Sequence, residues 1–165
     1  MTLTAHALAG AAAASLMPEN PALGFCAGFA SHFVLDAIPH WNYEPRSPAL
    51  DPKRGGTLSL NKALFSDLGI ISFDGLLGLG LALLLFGRHG LWFPAFAGVT
   101  GAYLPDALHF VTARFPREPF ISFTRFHNGI QRDIAENSAL LGVLSQILFI
   151  AAFLGALHYV APALL

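Results

Sequence analysis

The run Ser31-His32-Phe33-Val34-Leu35-Asp36-Ala37-Ile38-Pro39-His40-Trp41 places three ionisable side chains in an otherwise apolar helix, just before a proline stops it. His32 and Asp36 are four residues apart and share one helix face, and His40 follows a turn later, beyond Pro39. Imidazoles and a carboxylate at this spacing suit a divalent metal. The competing reading is a helix end whose Asp and His hydrogen-bond to each other or to a lipid headgroup region. Elsewhere, the side chains able to join such a site are His6, Asp67, Asp106, His109 and His127.

Composition fixes the solvent around these residues. The chain has 165 residues, 55% of them apolar and only 12% charged, with a mean hydropathy of +0.58. Those values point to an integral membrane protein, with residues 1–165 as one transmembrane helical domain. The net charge of −1 gives no reason to expect a polyanion, and no phosphate-cradling loop or basic aromatic surface suggests nucleic acid. The single Cys26 excludes a disulfide framework and a cysteine zinc cluster, so any metal must rest on His and carboxylates. No Gly-x-Ser-x-Gly elbow supports serine catalysis. No Lys or Arg precedes the first apolar run, so the first helix is expected to stay in the mature protein.

The elements that must position the candidates are all helices, which makes the fold class all-α, a membrane bundle of about five. The first spans Thr4 to Met17, capped by Thr2 or Thr4 and too short to cross a bilayer alone. A turn at Pro18–Pro21 returns the chain into a second helix, Ala22 to Ile38, which brings His6 to the level of Asp36. Pro39 to Lys62, with Pro45, Pro48, Pro52, Gly55 and Gly56, reads as a loop outside the hydrocarbon. A spanning helix from Ala63 to Phe86 carries Asp67 and Asp74, and Gly87–Gly90 forms a turn. The next helix runs from Leu91 to about Val111, with Pro105 expected to bend it and free a carbonyl near Asp106 and His109. Thr112 to Arg132 reads as a surface loop in which Phe115, Phe120, Phe123 and Phe126 act as interfacial anchors among arginines, and a last helix spans about Ile134 to His158.

This order brings His6, His32, Asp36, His40, Asp67, Asp106, His109 and His127 to one membrane level and leaves His89 and His158 at the other face. Intramembrane ionisable residues are functional by default, so the convergence favours a metal site. Asp74 lies two turns deeper than Asp67, about 10 Å along the axis, and is expected to be protonated or paired with Ser72, Asn137 or Gln146. Eight of the nine basic residues, among them Arg46, Lys53, Arg54, Arg114 and Arg125, fall in the two long loops, against Arg88 alone in the opposite turn. The positive-inside rule then makes the N-terminus and the site cytoplasmic.

The segments Ala5-His6-Ala7-Leu8-Ala9-Gly10, Ser31-His32-Phe33-Val34-Leu35-Asp36 and Leu104-Pro105-Asp106 resemble the predicted membrane-bound metal-dependent hydrolases, small bacterial inner-membrane proteins distantly similar to zinc-dependent phospholipase C. The resemblance implies a helical bundle with metal-binding His6, His32, Asp36 and Asp106. It departs from the family where the usual Pro-Asp-x-Asp-His reads Pro105-Asp-Ala-Leu-His109, and where Phe126-His127-Asn128-Gly129 is the nearest substitute for a His-Arg-Gly…Thr-His-Ser segment. The chemistry expected is hydrolysis of a lipid ester or phosphoester by a metal-activated water, with Zn²⁺ favoured over Mn²⁺ or Fe²⁺ and Asp36 or Asp67 as the base. A metal-stabilised scaffold and a metal or proton transporter are the alternatives. Cysteine labelling in intact cells tests the orientation. Arg54→Cys should resist a membrane-impermeant reagent and Arg88→Cys should react, and the reverse pattern would invert the topology.

Overall fold

A helix with small apolar side chains all round has no face to offer water, and it belongs in the middle of a bundle. Helix α1 (Leu3–Ser15) is of this kind, with Ala5, Ala7, Ala9, Ala11, Ala12 and Ala14 all buried. The computed structural model describes residues 1–43, 45–47, 60–88, 90–134 and 138–162. Among them, α1 is followed by α2 (Pro21–Asp36), α3 (Lys62–Gly87), α4 (Trp92–Arg114), α5 (Phe120–Ile130) and α6 (Ala139–Val160). Helices α2, α3, α4 and α6 all pack against α1.

Small residues let these backbones approach closely. A methyl group at Gly98 of α4 would overlap the Gly10 carbonyl of α1, and one at Gly28 of α2 would overlap the Gly98 carbonyl. These contacts lock α1, α2 and α4 into one unit. Helix α6 docks by a different device: Gly142 leaves a notch filled by the Trp41 indole, where any side chain would collide with the ring. Gln146, one turn further along α6, donates to Trp41 O at 2.7 Å and accepts the Thr2 N–H at 2.7 Å.

The first N–H groups of a helix have no partner inside it, and in a buried helix they must find one elsewhere. In α1, Thr2 Oγ1 accepts from Ala5 N, while Asp74 of α3 accepts from Leu3 N at 2.5 Å, Thr4 N and Thr4 Oγ1, as well as from the Tyr43 hydroxyl. Asp74 is thus an α1 cap rather than a partner of Ser72 or Gln146, and Asn137 lies outside the described residues. Burial, followed by the Asp74 carboxylate, raises the pKa of the Tyr43 phenol, so Tyr43 remains a donor.

Several boundaries differ from those expected. The surface loop proposed for 112–132 contains α5, and α4 runs on to Arg114, so there are six described helices and not five. Helix α5 is amphipathic: Thr124 and His127 point inward, Arg125 and Phe126 are exposed, and Phe120 and Phe123 are half-buried. Helix α6 begins at Ala139, capped by Ser138, rather than at Ile134, and before it the chain pairs with His40, Ile134 N–H donating to His40 O at 2.8 Å and Arg132 O accepting from His40 N at 3.1 Å. Among the described helices, two are long and apolar enough to cross a membrane: α3, with 26 residues, and α6, with 22. At the usual rise they are about 39 and 33 Å long, against a hydrocarbon core of about 30 Å. Their outer faces expose Phe65, Ile70, Phe73, Leu76, Ile147 and Leu148.

Removing the α1 cap should loosen the bundle. Asp74→Ala is expected to cost about 1–3 kcal/mol, the penalty for leaving part-buried donors unpaired, and Asp74→Asn, which keeps one oxygen, should cost less. Thermal unfolding of the purified protein reads both, and an unchanged Tm in Asp74→Ala would show that α1 is not held this way.

Candidate metal centre

Four helices and one loop deliver nitrogen and oxygen donors to a single point. Helix α1 supplies His6 from its first turn, α2 supplies His32 and Asp36 from its last, and His40 follows just beyond α2. Helix α4 supplies Asp106 and His109, and α5 supplies His127. His6, His32, Asp36, His40 and His127 are all buried.

The Asp36 carboxylate is where they meet. Its Oδ2 lies 2.8 Å from His127 Nε2 and 3.1 Å from His32 Nε2, and its Oδ1 lies 3.3 Å from His6 Nε2 and 3.6 Å from His40 Nε2. The His32 and His127 Nε2 atoms are 3.0 Å apart, and the His6 and His32 rings stack with centroids 4.0 Å apart. Two sets of donors stand close enough together to hold an ion, His6 with His32 and Asp36, and His32 with Asp106 and His127.

The other nitrogen of each ring decides what these Nε2 atoms can do. His32 Nδ1 is 2.8 Å from Ala102 O and His40 Nδ1 is 2.6 Å from Ile38 O. A carbonyl only accepts, so in both rings the proton sits on Nδ1, and a neutral ring then carries a lone pair at Nε2. His127 Nδ1 faces His109 Nε2 at 2.8 Å, which allows the same assignment there. Among the described residues, neither nitrogen of the buried His6 ring makes a well-aligned hydrogen bond, nor does the buried Asp36 Oδ1, from which His6 Nε2 lies 3.3 Å away. Lone pairs gathered around an anionic oxygen repel one another unless a cation lies among them. Protonating every ring instead would bury several positive charges around one carboxylate, at heavy desolvation cost. A divalent ion answers all of them at once, and hydrogen bonds from Nδ1 to carbonyls are the usual outer support of histidine ligands.

The α-amino group of Met1 also reaches this point, 2.6 Å from His40 Nε2 and 3.6 Å from Asp36 Oδ1. Burial, with this charge beside it, lowers the His40 pKa and keeps the ring in the neutral form that binds metal. The centre is not sealed. The Asp106 side chain is 40% exposed, with Oδ1 3.8 Å from His32 Nε2.

Of the expected site residues, His6, His32, Asp36, His40, Asp106 and His127 come together. His109 reaches the centre only through His127. Asp67 belongs to neither donor set, and its oxygens accept the backbone N–H groups of Arg46 at 3.2 Å and Ser47 at 2.6 Å, which anchors the start of the first long loop. His158 lies twelve residues beyond Gln146 on α6, about 18 Å along the helix from the end that meets Trp41. His89, Lys53 and Arg54 lie outside the described residues.

Sequence reasoning missed the supports. The bend expected at Pro105 pointed to a free carbonyl, and the carbonyl in use is that of Ala102. Nothing in the sequence signalled the backbone pairing of His40 with Arg132 and Ile134. In α5, Phe123 and Phe126 pack against the Phe33 ring at 6.2 and 5.3 Å, Phe126 while remaining largely exposed, and Phe115, just after α4, is exposed as well. No family model, curated protein or solved structure matches this chain.

Elemental analysis of purified variants tests the centre. His32→Ala and Asp36→Ala should lose bound metal and melt at lower temperature together, since ion binding adds to folding stability. His109→Ala should weaken metal affinity by about 10–100-fold, as expected for the loss of an outer support. His158→Ala should change neither quantity, and equal metal loss in His158→Ala and His32→Ala would dismiss the site.

Proposed function

We propose that this chain is a membrane-embedded, metal-dependent hydrolase that cleaves an ester or phosphoester bond in a lipid. The observation that carries the reading is the buried Asp36 carboxylate ringed by imidazole Nε2 atoms, with one further carboxylate, Asp106, open to solvent at its edge. A closed shell would suit a scaffold, and the exposure of Asp106 favours an accessible centre. The histidine and carboxylate donors fit Zn²⁺, with Mn²⁺ or Fe²⁺ as alternatives. When bound, such an ion supplies a Lewis acid that acidifies water and polarises the scissile group.

The chain's own residues divide the remaining work. His32, His127 and Asp36 would hold the ion, and Ala102 O and His109 fix the rings of His32 and His127. Asp106, at the open edge, takes the proton from the attacking water. Asp36 is too enclosed by donors for that task, and Asp67 is held by the Arg46 and Ser47 backbone. A lipid substrate follows from the setting: α3 and α6 present apolar outer faces, and Phe115 and Phe126 are exposed beside arginines at the end of the bundle that carries the centre. The basic loops and the family resemblance together favour the bacterial inner membrane, several crossings and a cytoplasmic site.

Metal-loaded protein in mixed micelles, offered phospholipids, phosphodiesters and peptides, should turn over a lipid ester or phosphoester. Asp106→Asn should lower the rate by about 10²–10⁴-fold, the usual range for a lost general base, and a matching loss of bound metal would make Asp106 a ligand beside His32 and His127 instead of the base. No turnover on any of these substrates, together with a coordinatively closed ion, would replace the hydrolase by a structural metal protein.

A further inference from the structure

Helices α3 and α4 run antiparallel and touch where the Tyr103 hydroxyl donates to Gly75 O at 2.7 Å. Toward the end of the bundle that carries the centre, they part. Gly78, beside that contact, is buried, but from Leu68 to Leu77 no residue of α3 is, and on α4 the same holds from Asp106 to Val111. Ile71 lies one turn from Gly75 and Ala107 one turn from Tyr103, so they are the next residues on the facing sides. Ile71 is only half-buried and Ala107 is exposed. Helices packed ridge into groove would bury both, so a crevice is left between them. Asp106 stands in its wall, 40% exposed and with Oδ1 3.8 Å from His32 Nε2.

The two ends of this crevice differ in chemistry. Its outer rim on α3 is apolar, with Ile70 50% and Phe73 72% exposed on a helix long and apolar enough to cross a membrane. Its inner end is a carboxylate with imidazoles behind it. A carboxylate opening onto hydrocarbon is costly unless a polar group meets it there. An amphiphile answers both ends, with an acyl chain along the α3 wall and a polar group against Asp106. Resting on the hydrolase reading above, we infer that the crevice between α3 and α4 is a side entrance by which a lipid already in the bilayer reaches the centre, its chain passing between Ile71 and Ala107. The substrate class narrows with it. Because Asp106 and Ala107 are neighbours on α4, the ester or phosphoester to be cut lies close to the root of the acyl chain, not at the far end of a large headgroup.

Metal-loaded full-length protein in nanodiscs of phosphatidylglycerol and phosphatidylcholine tests the entrance. Ala107→Trp, which fills the crevice, should lower kcat/KM on the bilayer phospholipid by about 10–200-fold, the range for a misfit in an apolar pocket, and leave turnover of water-soluble bis(p-nitrophenyl) phosphate unchanged. Leu148→Trp, on the exposed face of α6, should change neither. Equal losses on both substrates, or no loss on the phospholipid, overturn the inference and spare the hydrolase. Wild-type protein that cleaves the soluble phosphodiester alone also overturns it. If neither substrate is turned over, the hydrolase reading falls, and a nitroxide at Ile71→Cys in a Cys26→Ser background still decides the crevice. The label should collide with oxygen, which concentrates in the bilayer, and collide less often when Ala107→Trp is added. Collision with a water-soluble nickel chelate, or with neither quencher, overturns a lipid-filled crevice.

Discussion

A carboxylate withdrawn from water must be answered by positive charge or by hydrogen-bond donors. Around Asp36, His32 and His40 place their Nδ1–H groups on backbone carbonyls, so in the neutral ring the Nε2 that faces the carboxylate carries a lone pair. That constraint explains the convergence of α1, α2 and α5, which bring His6, His32 and His127 to the carboxylate, while α4 brings Asp106 beside His32 and His109 beside His127. Gly10, Gly28 and Gly98 allow the three inner helices to touch through their backbones, a separation at which His6 and His32 can stack. The pairing of His40 with Arg132 and Ile134 ties the exit of α2 to the exit of α5, so His40 and His127 are fixed relative to each other.

The polar groups of the bundle fall into two sets with different tasks. Asp74, Gln146, Tyr43 and Thr2 serve backbone donors and hold α1 in place. Asp36, Asp106 and the histidines face one another, and the backbone amine among them is the Met1 terminus beside His40 and Asp36. Asp67 shares a helix with Asp74 and resembles it in work, since both accept N–H groups from other segments. A carboxylate saturated by backbone donors is a structural member. One surrounded by lone pairs is a site.

Much of this was legible in the sequence because the spacing carried it. His32 and Asp36 on one helix face, His6 returned by a short hairpin, and Asp106 one residue after a helical proline are local facts, and the folded chain keeps them. Asp67 could not be separated from the ligands, because its partners are the N–H groups of Arg46 and Ser47, and backbone donors leave no mark on composition. The inner place of His127 was equally hidden: the pattern of Phe115 to Phe126 reads as a membrane-surface loop until the helical period of α5 is seen to turn Thr124 and His127 inward. The spanning helices were partly legible: α1 was read as too short to cross, and α3 and α6 are the two described helices long and apolar enough to do so.

The way α1 is capped also sets the order in which the protein can be assembled in time. The acceptors for its first N–H groups, on Asp74 and Gln146, lie 71 and 144 residues further along the chain. When α1 leaves the ribosome those acceptors have not been made, so its final seat does not yet exist. The segment can take that seat only once α3 and then α6 have been made. His6 therefore joins the other donors only after nearly the whole chain has been translated, and the centre is completed by the closing of the bundle rather than by its nucleation.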